Sequence, residues 1–112
     1  MLFSEKHIKQ IIRGEKTQTR RRRDNKGVKV GNSYRACESI FTSRKDSPAY
    51  IVVTDVYKEK LGNLSEEDAD KEGGYTVQEF KSVWIDFHDE WNENEEVWVI
   101  EFEGYEEDPR EN

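Results

Sequence analysis

The segment Gly14-Glu15-Lys16-Thr17-Gln18-Thr19-Arg20-Arg21 joins a short amphipathic stretch to a charged, glycine-bearing one, and its reading decides the fold. Upstream, Ile8, Ile11 and Ile12 recur at helical spacing behind Ser4, a residue type suited to an N-cap. Gly14 stands where a helix C-terminus favours positive φ. Downstream, Thr17 and Thr19 are β-branched and share a strand face with Arg21. A helix ending at Gly14 and a strand starting near Thr17 put Lys16 in the turn between them. Lys16, Thr19 and Arg21 then offer an ammonium, a hydroxyl and a guanidinium to one cleft. Such a set suits an anionic or planar polar ligand, because a guanidinium forks onto a phosphate or a base edge while an ammonium adds a point charge. The competing reading makes them solvated charges and an ordinary strand threonine.

Beyond the segment the charge is uneven. Arg20, Arg21, Arg22 and Arg23, followed by Lys26 and Lys29, form the densest basic block. Residues 1–60 carry 15 Lys/Arg against 7 Asp/Glu, residues 61–112 carry 3 against 18, and the net charge is −7. Either the first half presents a positive face to nucleic acid, or the two halves neutralise each other in the fold. On the first reading Arg22, Arg23 and Lys26 are phosphate contacts, with Tyr34, Tyr50 and Tyr57 available for base stacking. The acidic runs at 66–72 and 89–96 read as solvated faces. Residues 106–112 read as an acidic, disordered tail on a domain spanning 1–105.

At 112 residues the chain is one domain's worth. Apolar residues supply 33% against 38% charged, so three Trp, five Tyr and five Phe must carry much of the core. Strands are predicted at Ser33–Phe41, Tyr50–Tyr57 and 97–103, where Val97 and Val99 alternate with Trp98, Ile100 and Phe102. A short acidic helix is expected from Ser65 to Asp70, broken at Gly73 and Gly74. A longer one opens at Thr76, with Val77, Phe80, Val83, Trp84 and Phe87 as its buried stripe. Thr76 and Glu79 have the spacing of a capping box. A lone Cys37 excludes an internal disulfide and a multi-cysteine zinc site. No run of about 18 apolar residues and no export signal is present. The expectation is a soluble, cytoplasmic monomer with no membrane partner, no metal and no cofactor. His7 and His88 read as structural.

The pattern G-x-K-x-x-T-x-R at 14–21 resembles that of the ASCH family, small domains of the PUA-like fold. Further pieces follow in order: "KVGNSY" at 29–34, "LGNLSEEDADKEGGYTVQEFKSVW" at 61–84 and "VWVIEFE" at 97–103. The resemblance implies an α+β fold, a small mixed β-barrel of five to six strands with two to three flanking helices. It also implies binding of RNA, or of a nucleoside or nucleotide, in a cleft built by Gly14, Lys16, Thr19, Arg20 and Arg21. Some bacterial proteins similar to this family are acetylcytidine amidohydrolases using a lysine, a threonine nucleophile and a glutamate. Matched residue by residue, these are Lys16, Thr19 and Glu79, and such chemistry needs no metal. A ribonuclease is the remaining enzyme reading. Arg20 departs from the apolar residue of those enzymes and leaves the substrate open.

Overall fold

The computed structural model describes residues 1–22 and 28–111, so Arg23 and Lys26 lie outside the described residues. Helix α1 spans Glu5–Arg13; the Ser4 hydroxyl accepts the His7 N–H, and Gly14, at φ 76°, closes the other end. The chain then enters β1 (Gln18–Arg21), β2 (Ser33–Ala36) and the long β3 (Ala49–Lys60). A turn of 3₁₀ helix leads to α2 (Glu66–Gly73), α3 (Val77–His88) and β4 (Glu96–Tyr105). The strands form one antiparallel sheet in the order β1-β4-β3-β2, curled into a half-barrel. Between Val53 and Asp55 the β3–β4 register slips by one residue. That bulge bends the longest strand and strengthens its twist, helping the sheet curl.

Among the described residues the sheet has four strands, against the expected five to six. The run predicted as Ser33–Phe41 pairs only as far as Ala36, because Ser39 starts a turn in which its hydroxyl accepts the Phe41 N–H at 3.1 Å and its carbonyl the Thr42 N–H at 3.2 Å. What extends the sheet there is an isolated parallel bridge between Leu2 and Cys37. Helix α3 brings a second correction. Phe80 and Trp84 are buried as expected, but Phe87 is 83% exposed. His88, four residues beyond Trp84, continues the stripe instead, with ring centroids 4.1 Å apart. Asp89 then ends the helix in the left-handed region at φ 66°.

Two apolar clusters lie on opposite faces of the sheet. Phe3, Ile8, Ile11, Ile51, Val53, Ile100 and Phe102 pack under α1. Leu61, Leu64, Ala69, Phe80, Trp84 and Val97 pack under α2 and α3. Within the expected tail, Asp108 pairs with Arg44 through two hydrogen bonds of 2.6 and 2.7 Å.

Candidate functional site

The turn after α1 is held from three sides. The Lys16 N–H reaches the Gln10 carbonyl at 3.2 Å, the Thr17 N–H reaches Lys71 O at 3.0 Å, and the Thr17 carbonyl accepts from Phe102 at 2.9 Å. So anchored, the Lys16 side chain turns inward and is 1% exposed. Its Nζ donates to Gln18 O at 2.9 Å, to Glu72 O at 2.6 Å and to Glu72 Oε1 at 3.3 Å. Burial pushes the Lys16 ammonium below its ordinary pKa, and Glu72 opposes that shift.

Strand alternation sorts the rest. Gln18 and Arg20 face α2; Thr19 and Arg21 face α1, Thr19 being the register partner of the core residue Ile100. Both terminal nitrogens of Arg20 meet carboxylates, while its buried Nε has no partner among the described residues. Its Nη1 donates to Glu72 Oε2 at 3.0 Å and to Gln18 Oε1, its Nη2 donates to Glu59 Oε1 at 3.0 Å, and Asp68 Oδ2 lies 3.6 Å away. Tyr57 stands beside this cluster; burial first, then the charges of Glu101, Glu59 and Asp68, push its hydroxyl up to about 12. Among the described residues no three His, Cys, Asp or Glu side chains are arranged to hold a metal.

Arg21 is held differently. Its Nε donates to Thr19 Oγ1 at 3.3 Å and its Nη2 to the Leu2 carbonyl at 2.8 Å, while its guanidinium lies 4.9 Å from the Phe3 ring centroid. Among the described residues it has no carboxylate partner. Arg22, expected as a phosphate contact, is paired: Nε donates to Glu95 Oε2 at 2.5 Å and Nη2 to Glu90 Oε1 at 2.9 Å. A phosphate at Arg22 would have to displace two carboxylates.

Glu79 is exposed, and its carboxylate is spent on the helix start. It accepts the Thr76 N–H at 2.9 Å while the Thr76 hydroxyl accepts the Glu79 N–H at 3.1 Å. This capping box holds its carboxyl below the usual range. The carboxylate that meets Lys16 is Glu72, inside a run expected to be a solvated face. A signal for it exists in the sequence: Asp68 and Glu72 are spaced i, i+4 and flank Ala69, the one apolar residue of α2, so the helical period turns them inward. The tyrosines expected to stack bases are otherwise placed. Tyr50 is buried with its hydroxyl donating to Arg44 O at 2.5 Å, and the Tyr34 hydroxyl accepts the Lys29 N–H at 2.9 Å. Besides Phe3, the aromatic neighbour of Arg21 in the sheet is Trp98, its register partner on β4.

No protein-family model matches the sequence, and no curated protein matches it. Among solved structures, an ASCH domain from Lactobacillus crispatus JV V101 superposes with a TM-score of 0.69 at 18% identity, over 92% of this chain and 76% of that one. A protein of Enterococcus faecalis V583 from the family DUF984 superposes with a TM-score of 0.58 at 19% identity, over 91% of this chain and 72% of that one. The chain has the ASCH-domain fold, a small α+β domain of the PUA-like kind.

Proposed function

We propose that this domain binds a nucleoside or nucleotide in the cleft built by the G-x-K-x-x-T-x-R segment, with Arg21 as the contact residue. One observation carries the reading. Of the three described arginines in the run, Arg20 and Arg22 are neutralised by carboxylates, whereas Arg21 is oriented by a carbonyl, a hydroxyl and an aromatic face. A half-buried guanidinium fixed by neutral groups keeps its charge for a ligand, and its Nη1 has no partner among the described residues. A long RNA strand is less favoured, because Arg22, the described residue among the cations expected on its backbone, is already paired with Glu90 and Glu95. The test is calorimetric titration with the four common nucleoside monophosphates, their nucleosides and a short single-stranded RNA. Saturable binding of at least one mononucleotide is expected; no binding by any of the monomers would overturn the reading.

A second reading, hydrolysis of an acylated cytidine, is favoured by Lys16. Burial favours the neutral amine that a threonine nucleophile needs as its base, against three acceptors that hold the ammonium. The partner of the Thr19 hydroxyl is Arg21 rather than Lys16, so a ligand would have to bring Thr19 and Lys16 together. Thr19 Oγ would attack the acyl carbon, its proton passing through Lys16 to the departing amine, and water would then release the acyl group. The carboxylate beside Lys16 is Glu72 rather than Glu79. Incubation with acetylcytidine tests this reading. It requires release of cytidine and acetate, lost in Thr19→Ala and retained in Glu79→Ala; a silent wild type rejects it.

A further inference from the structure

The β1-β4-β3 register sets Arg21, Trp98 and Lys58 side by side in one row across the sheet. All three point to the same face, the one that carries Thr19, Ile100 and Val56 in the next row. Trp98 is partly exposed although it lies between the buried Val97 and Val99, and Lys58 Nζ sits 5.0 Å from its ring centroid. Among the described residues neither flanking cation has a carboxylate within ion-pairing distance, in contrast to Lys16, Arg20 and Arg22. Glu96, two residues before Trp98 on that face, stands opposite Lys60 at the end of the ladder.

We infer that this row is a nucleotide platform: Trp98 stacks the base, Arg21 contacts its edge, and Lys58 takes the phosphate. The inference rests on the reading of Arg21 as a ligand contact and narrows the ligand class to a phosphorylated nucleoside. An exposed lysine over an indole is a weak contact, which a stacking base outcompetes for the same ring. Displaced from the ring, the Lys58 ammonium is free to meet the phosphate of the ligand that displaced it. The neighbouring rows add no second stacking surface, because they carry Ile100, Val56 and Thr19. One base therefore fits where a run of bases does not.

The experiment titrates wild type, Trp98→Phe, Trp98→Leu, Lys58→Gln and Arg21→Ala with nucleoside monophosphates and with the matching nucleosides. Trp98→Leu is expected to weaken both ligand classes about tenfold, the cost of one lost stack, and Trp98→Phe is expected to retain most of the affinity. Lys58→Gln is expected to weaken the monophosphate about tenfold and to leave the nucleoside unchanged. If Trp98→Leu does not fold, the exposed Lys58 position decides alone. Wild-type affinity in Lys58→Gln and Trp98→Leu, with binding lost in Arg21→Ala, overturns the platform and leaves the cleft reading standing. Absence of wild-type binding overturns both.

Discussion

At the scale of single residues, charge compensation separates side chains that look alike in sequence. Lys16 and Arg20 are buried cations that share Glu72, which is 3% exposed. Removing one partner of a buried ionic set leaves the others uncompensated, typically at about 3–5 kcal/mol. Glu72→Ala is therefore expected to destabilise the domain by about that amount in a urea denaturation series. Glu79→Ala removes a capping box and is expected to cost about 1 kcal/mol. Equal losses for the two variants would contradict the assignment of Glu72 to the interior. The capping roles of Ser4, Gly14 and Thr76 were legible in the sequence, because caps depend on local spacing. Glu72 was not read as interior although its helical spacing carried the signal, since a carboxylate among four acidic neighbours looks solvated until α2 is laid against β1. Trp98 was hidden for the same reason: its alternation was plain, but only the register shows that cations flank it.

At the scale of elements, helices and strand cores followed periodicity, while their ends followed partners. Strand β3 runs to Lys60, beyond the apolar pattern that marked Tyr50–Tyr57, because β4 offers a hydrogen-bonding partner along its whole length. The β2 segment did the reverse and stopped where its turn began. Helix α1 crosses β4 closely at Gly104, where an added Cβ would lie 2.2 Å from the Ile11 carbonyl. Gly104→Ala must push α1 off the sheet, and forced repacking of this kind costs about 1–3 kcal/mol. Gly14→Ala meets no neighbour within 4 Å but must adopt φ 76°. It is expected to cost about 1 kcal/mol, from backbone strain alone. Thermal denaturation of both variants checks the order: a Gly104→Ala protein as stable as wild type would show that α1 does not sit so close.

For the whole molecule, the uneven charge of the two halves is partly compensated across the fold, where Arg20 and Arg22 of the first half meet Asp68, Glu72, Glu90 and Glu95 of the second. Sequence alone left that outcome open, because position along the chain is not position in space. The pH response follows from the same arrangement. His7 shares a 2.9 Å hydrogen bond with the Tyr75 hydroxyl, and burial, reinforced by Lys16, Lys6 and Arg21, pushes its pKa down to about 4. The unfolded chain takes up that proton near 6.5 and the folded one only near 4, so its contribution is complete above pH 6.5 and is lost as pH falls toward 4. Denaturation at pH 7, 5.5 and 4.5 is expected to show a steeper decline for wild type than for His7→Gln; parallel curves would contradict the shifted histidine. The central claim is that Arg21, and not the arginines beside it, is the ligand contact. Calorimetric titration of nucleoside monophosphates into wild type, Arg21→Ala and Arg22→Ala tests it most directly. The account predicts binding lost by about tenfold or more in Arg21→Ala and unchanged in Arg22→Ala, whereas equal weakening in both variants, or binding untouched in Arg21→Ala, would contradict it.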